Sequence, residues 1–271
     1  MAHPKIQKPT WEGIWRSKHT REDLGALGSY EVLEELLRLN GFDTKSGTFR
    51  LEDYLKFVHQ ITQKARLEQC DGVFEVGCGA GAFLYALELA RVASSGASSG
   101  ARFPRGGGGD MRYSFIGGMD YASNLLVYAR EVFKHREAHF VHAEASGLDE
   151  HARCDAVVSF GVLHYFPSLE YAREVVRKMF QKARKCVLVL DVLDEKKQSS
   201  DIAYKKQAYG KDYEAFYGSL KHLYYPKEMF SEIAEEFGFS CLIEEQSIDN
   251  YPNSEFRFNV IAHRQEAACK Q

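Results

Sequence analysis

The stretch VFEVGCGAGAFL, residues 73–84, decides the fold, because it sets Glu75 and three glycines between two apolar runs. Val73 to Val76 is short and apolar and reads as a buried strand, whereas Ala82 to Val92 has helical spacing. Glycine weakens both kinds of element, so Gly77, Gly79 and Gly81 at the changeover imply that a ligand approaches the backbone there. Strand, glycine turn and helix make the first half of a βαβ unit.

Downstream the alternation repeats. YSFIGGMD (113–120) reads as a second strand, and Ser123 caps a helix with Leu125, Leu126, Ala129, Val132 and Phe133 on one face. HFVHAEA (139–145) and DAVVSFGV (155–162) are the third and fourth strands; Ser168 opens a helix carrying Leu169, Ala172, Val175 and Met179; and CVLVLDV (186–192) is the fifth strand. Continuous apolar strands separated by amphipathic helices argue for an α/β protein with a Rossmann-like, doubly wound, mostly parallel sheet. Pro226 then starts a helix that Gly238 ends, and strands near 239–246 and 256–263 are joined by a short turn-rich loop, Asp249 to Ser254. So brief a connection implies an antiparallel C-terminal strand pair.

Upstream, helical spacing over Ser29–Leu39 and Leu51–Leu67 predicts N-terminal helices, so 1–69 is an N-terminal helical lid or arm before a domain spanning 70–271. Residues 94–109, SSGASSGARFPRGGGG, bury too little apolar area to offset their ordering entropy and read as a flexible surface insertion. The segment 195–225 is lysine- and tyrosine-rich without a strand pattern, and reads as a helical or irregular excursion over the sheet edge that serves as a substrate lid.

Composition narrows the function. With 271 residues the chain is long enough for one large domain with decorations, and its net charge of -3 gives no global pull toward nucleic acid or an anionic membrane. Six cysteines are scattered without a CxxC pair or zinc-ligand spacing, which points to reduced thiols, a reducing compartment and no metal site. Neither a signal-peptide-like run nor a membrane-spanning stretch is present in the sequence, so a cytoplasmic protein is expected, with a small-molecule partner and neither nucleic acid nor membrane.

In an open α/β sheet, ligands sit beyond the carboxyl ends of the strands. Glu75 puts a carboxylate at the end of the first strand, where it can hold an amino group; Asp120 ends the second, where a carboxylate can accept two hydrogen bonds from a ribose diol. Glu144 and Ala145 can meet an adenine's amine and ring, and Phe160 to Phe166 (FGVLHYF) offers aromatic and imidazole groups near a reacting centre. Gly77 to Ala82 also satisfies the looser dinucleotide pattern, so glycine spacing alone leaves a nicotinamide cofactor open.

The set FEVGCGAG, GGMDYA, VHAEA and CDAVVSFGVLHYF resembles the class I S-adenosylmethionine-dependent methyltransferases, in the branch that methylates small molecules, over residues 70–195. The resemblance implies in-line methyl transfer to an N, O or S atom of a metabolite, with S-adenosylmethionine as cofactor. It implies that Glu75 with Gly77, Cys78, Gly79 and Gly81 holds the methionine portion, that Asp120 binds the ribose with Tyr121 beside the adenine, and that Phe160 lies under the cofactor. Glu144, followed by Ala145, stands where the family usually has aspartate, on the adenine amine. If the acceptor is neutral it must lose a proton, and His164 is the first candidate base, Tyr165 the second; the alternative is that this histidine only packs or orients.

Substrate selection is expected from elements laid over the cofactor: Trp11 and Trp15 as a lid or as ordinary packing, Tyr224 and Tyr225 among the tyrosines of the excursion, and Arg257 as a carboxylate clamp or a strand-edge charge. Three other functions remain open: an NAD(P)-dependent oxidoreductase, a non-catalytic cofactor-binding module, and a methyltransferase acting on a protein side chain.

Overall fold

The computed structural model describes residues 10–42, 49–94 and 113–265. From residue 95 on, the expected Ser/Gly insertion lies outside them. Three helices, α1 (Trp11–Ser17), α2 (Ser29–Leu39) and α3 (Leu51–Lys64), precede the alternating unit. That unit runs β1 (Gly72–Val76), α4 (Ala82–Ser94), β2 (Phe115–Asp120), α5 (Ser123–Val132), β3 (Ala138–His142), β4 (Cys154–Phe160), α6 (Leu169–Lys182) and β5 (Ala183–Leu193). The excursion forms α7 (Gln198–Tyr209) and α8 (Tyr213–Tyr217), and α9 (Glu228–Glu236), β6 (Phe239–Glu245) and β7 (Arg257–Arg264) follow.

The seven strands are ordered β3-β2-β1-β4-β5-β7-β6. The first five are parallel; β7 pairs antiparallel with both β5 and β6. Alternate residues of each inner strand feed two apolar layers. Val73, Ala156, Val158, Leu188 and Leu190 pack under α2 to α5, whereas Phe74, Val157, Val187 and Val189 pack under α6 and α9. Burial on both faces is why these strands are continuous apolar runs. Helices α2 and α3 share that first layer through Leu33, Leu36, Leu37, Tyr54 and Ile61, and both pack on α4.

Three local expectations are corrected. Ser123 is the first helical residue of α5 rather than its cap, and the Asp120 carboxylate accepts from Ala122 N at 2.8 Å there. Strand β3 stops at His142, which leaves Glu144 free to enter a turn. The excursion lies across the carboxyl end of β5 and the turn before β7, where Tyr204 packs on Phe256 at 5.4 Å, and not over the sheet edge. No helix among the described residues is long and apolar enough to cross a membrane, and Cys70, Cys78, Cys154, Cys186 and Cys241 are all free.

Candidate functional site

Strand order reverses between β1 and β4, so a crevice opens at their carboxyl ends. A cavity of about 270 Å³ occupies it, walled by Glu75, Gly77, Gly79, Asp120, Glu144 and Phe160 among others. Gly77 and Gly79 have φ of +78° and +53°, a region L residues rarely adopt; a Cβ on Gly77 would overlap Val162, and one on Gly79 would overlap Asn40. The turn is therefore drawn tight from two sides. Asp120 accepts from Gly79 N at 2.8 Å, and Asn40, at the end of α2, accepts from Ala80 N at 2.7 Å while donating to Cys78 O at 3.2 Å.

Two carboxylates share this floor. Glu75 is 2 % exposed and its Oε2 has no hydrogen-bond partner among the described residues. Burial, with Asp120 nearby, pushes its pKa well above the ordinary carboxylate value. Burial also raises Asp120, against the pull of its bonds from Ala122 and Gly79. Two buried carboxylates of this kind suit a cation and hydroxyl donors, whose bonds would offset their desolvation.

The cavity is closed by α1. Thr10 caps this helix by accepting from Gly13 N at 3.1 Å; Asn124 of α5 donates to Trp15 O and Lys18 O at 3.1 and 2.8 Å; and Trp11 Nε1 donates to Lys221 O at 3.2 Å. Trp11 and Trp15 both line the cavity and pack edge-on against Tyr165 at 4.7 and 5.3 Å.

A second cavity, of about 450 Å³, adjoins the first, and Trp11, Asn40, Phe42, Gly161 and Tyr165 line both. Part of its polar wall comes from β5 and β7. Because β7 runs antiparallel, its first residue, Arg257, lies opposite Leu193 at the end of β5. There the β5 register shifts between Val189 and Val192, and Asp191 sits in the bulge at φ +63° with its N–H donating to Asn259 Oδ1 at 3.0 Å. Asp191 Oδ2 pairs with Arg257 Nη1, which also donates to Tyr251 OH at 2.8 Å, and Asp191 Oδ1 accepts from Gln246 Nε2 at 2.8 Å. Burial works against the Arg257 charge, but Asp191 and Tyr251 outweigh it and raise its pKa.

His164, on the turn after β4, faces this second cavity, with its Nδ1 buried and unpartnered among the described residues. Burial, then Arg257, His222 and Lys205, holds its pKa well below the usual histidine value. His222 is pushed down to about 3 by burial and the same two cations. Burial raises the Tyr165 phenol.

The expected residues thus divide. Glu75, Gly77, Gly79, Asp120, Tyr121, Glu144, Ala145, Phe160, Trp11, Trp15 and Tyr165 converge on the first cavity, and Trp11, Tyr165, His164 and Arg257 on the second. Four do not reach either. Cys78 packs its thiol beneath the turn, against Gly118, and Gly81 gives α4 room against Ala129 of α5. Tyr224 donates to Asp201 at 2.6 Å and Tyr225 to Leu163 O at 2.6 Å, so both tyrosines anchor the excursion rather than a substrate. Asn40, Phe42, Tyr251 and Asp191 also line the cavities, with no motif in the sequence to mark them. For Asp191 the signal is weaker than a motif, a lone acid at the carboxyl end of an apolar strand.

Comparison with solved structures bears on the fold. Magnesium protoporphyrin IX methyltransferase from Synechocystis PCC 6803, solved with bound SAH, superposes at a TM-score of 0.52 over 88% of this chain and 100% of that one. The chain has the class I methyltransferase fold. The N-methyltransferase NodS from Bradyrhizobium japonicum WM9, in complex with S-adenosyl-L-homocysteine, gives 0.53 over 89% and 100%. An O-methyltransferase family protein from Burkholderia thailandensis gives 0.53 over 96% and 64%. The class I methyltransferase fold is shared at only 15%, 13% and 13% identity, respectively. No family model and no curated protein matches the chain by sequence. Among the described residues, no group of three or more His, Cys, Asp or Glu side chains is arranged to hold a metal ion.

Proposed function

We propose that this protein is an S-adenosylmethionine-dependent methyltransferase acting on an N, O or S atom of a small molecule. One observation carries the reading: a buried carboxylate with an unpartnered oxygen, Glu75, on the floor of a cavity that runs past a tight glycine turn to Asp120 and Glu144. That donor and acceptor set fits a nucleoside bearing an aminoacyl arm. Glu75 and the turn would hold the ammonium end, Asp120 and Tyr121 the ribose, and Glu144 with Ala145 the adenine. When bound, S-adenosylmethionine supplies an activated methyl group on a sulfonium.

The chain's own part is alignment and exclusion of water. Tyr165, Phe42 and Gly161 line both cavities and so define the passage at which the acceptor is presented. A second cavity of about 450 Å³ suits a metabolite rather than a polymer. His164 is neutral and of lowered basicity, so its natural task here is a hydrogen bond to the acceptor, with proton removal secondary; Tyr165 stays protonated and serves as a wall.

Both tryptophans of the chain line the cofactor cavity, so intrinsic fluorescence reports its occupancy. Titration with S-adenosylhomocysteine (SAH) should give a saturable change that NAD does not. Saturation by NAD alone would overturn the assignment.

A further inference from the structure

Arg257 is buried to 7 % exposure, yet only part of its guanidinium is engaged. Nη1 serves both Asp191 and Tyr251. Nε is buried without a partner among the described residues, and Nη2, which shares the Nε edge of the planar group, makes no hydrogen bond to them. Asp191 cannot turn to cover that edge, because its second oxygen is taken by Gln246 and its backbone is fixed by Asn259. The Nε/Nη2 edge is the one that meets a carboxylate with two parallel hydrogen bonds.

The surroundings select the sign of charge. The other cation of the cavity, Lys205, is held at 2.6 Å by Asp201 and lies 3.4 Å from His222 Nδ1. Arg257 and Lys205 both act on His164 and His222 to disfavour their protonated forms, so a further cation is disfavoured beside the imidazoles. Apolar walls are supplied by Phe42, Tyr251, Trp11 and Tyr165.

We infer that the second cavity accepts a small organic acid, its carboxylate seated on the Nε/Nη2 edge of Arg257 and its body between the aromatic walls, with His164 Nδ1 available for a further polar group. This rests on the methyltransferase reading and names the acceptor class. Calorimetry on matched probes tests it: benzoate, benzamide and benzylamine, and indole-3-acetate, indole-3-acetamide and tryptamine, each titrated with and without saturating SAH. The acids should bind at least tenfold more tightly than the amides, and the amines least. Arg257→Lys keeps a charge for Asp191 but loses the two-donor edge, and Arg257→Gln with Asp191→Asn replaces the ion pair by a neutral pair. Both should abolish the preference, and circular dichroism verifies their folding. Equal binding of acid and amide, a preference for the amines, or an acid preference that survives both variants overturns the proposal. Loss of SAH binding by the unmodified protein would instead remove the methyltransferase reading, and the titrations without SAH still judge the carboxylate seat.

Discussion

In Glu75→Gln the ligand-free protein should gain stability while its affinity for SAH falls, because the carboxylate is buried at 2 % exposure with Oε2 unpartnered and Asp120 nearby. A buried polar group left without a partner costs about 1–3 kcal/mol, and more when charged. Recovering about 1 kcal/mol of it would raise the melting temperature by roughly 2–4 °C in a domain of this size. The lost partner for an ammonium group, about 1.5–3 kcal/mol for a hydrogen bond to a charged group, should weaken SAH roughly 10- to 100-fold. The pH dependence has a defined sign. Folding raises the Glu75 pKa, so its contribution to stability is complete below the ordinary carboxylate value of about 4.3 and is lost as pH rises through the folded value. Glutamine does not ionise, so the variant's thermal advantage should widen from pH 5 to pH 8. Thermal melts without ligand, paired with calorimetric titration of SAH, measure both effects. A variant that melts lower than the parent at pH 8 and binds SAH equally well would refute the account of this carboxylate.

Asn40→Ala removes the acceptor for Ala80 N and the donor to Cys78 O, so the glycine turn should loosen and SAH affinity should fall about tenfold, consistent with a lost buried hydrogen bond of about 1–3 kcal/mol; unchanged affinity would show that the turn holds itself. Gly79→Ala drives a Cβ into the Asn40 side chain at a left-handed φ, and should weaken SAH more than Asn40→Ala does. Combined with Asn40→Ala it should cost less than alone, and simple additivity in that double-mutant cycle would disprove the steric coupling. His164, held well below the ordinary histidine pKa of about 6.5, should keep a pH-independent imidazole NMR signal from pH 8 down to pH 6, assigned by its loss in His164→Asn. A midpoint near 6.5 would contradict the burial on which its hydrogen-bonding role depends.

How far the sequence could be read depended on the range of the interactions involved. The sheet was legible because each strand's burial on two faces is written into its own residues, as in CVLVLDV, and the glycine turn because Gly77, Gly79 and Gly81 fall in one short stretch. The proposed ligand residues at strand ends, such as Glu75 and Asp120, follow from the same local logic. The lid partners did not. Tyr224 and Tyr225 looked like contact residues because tyrosines crowd the segment, but their hydroxyls are spent on Asp201 and on Leu163 O, 23 and 62 positions away.

The acceptor wall is the strongest case of this kind. Asp191 and Arg257 are 66 positions apart, and a carboxylate in an apolar strand or an arginine in NSEFRFNV means little alone. They meet because β7 runs antiparallel, which brings its first residue to the end of β5 at the pairing of Leu193 with Arg257. The bulge between Val189 and Val192, with Asp191 at positive φ, then lets a carboxylate stay inside a strand that is otherwise fully apolar from Cys186 to Leu193. A parallel last strand would present its carboxyl-terminal residue, Arg264, at this rim and would carry Arg257 to the opposite end of the sheet. The reversed strand that completes the sheet is therefore also what sets a guanidinium beside the crevice, and the chemistry of the second cavity depends on strand direction as much as on residue type.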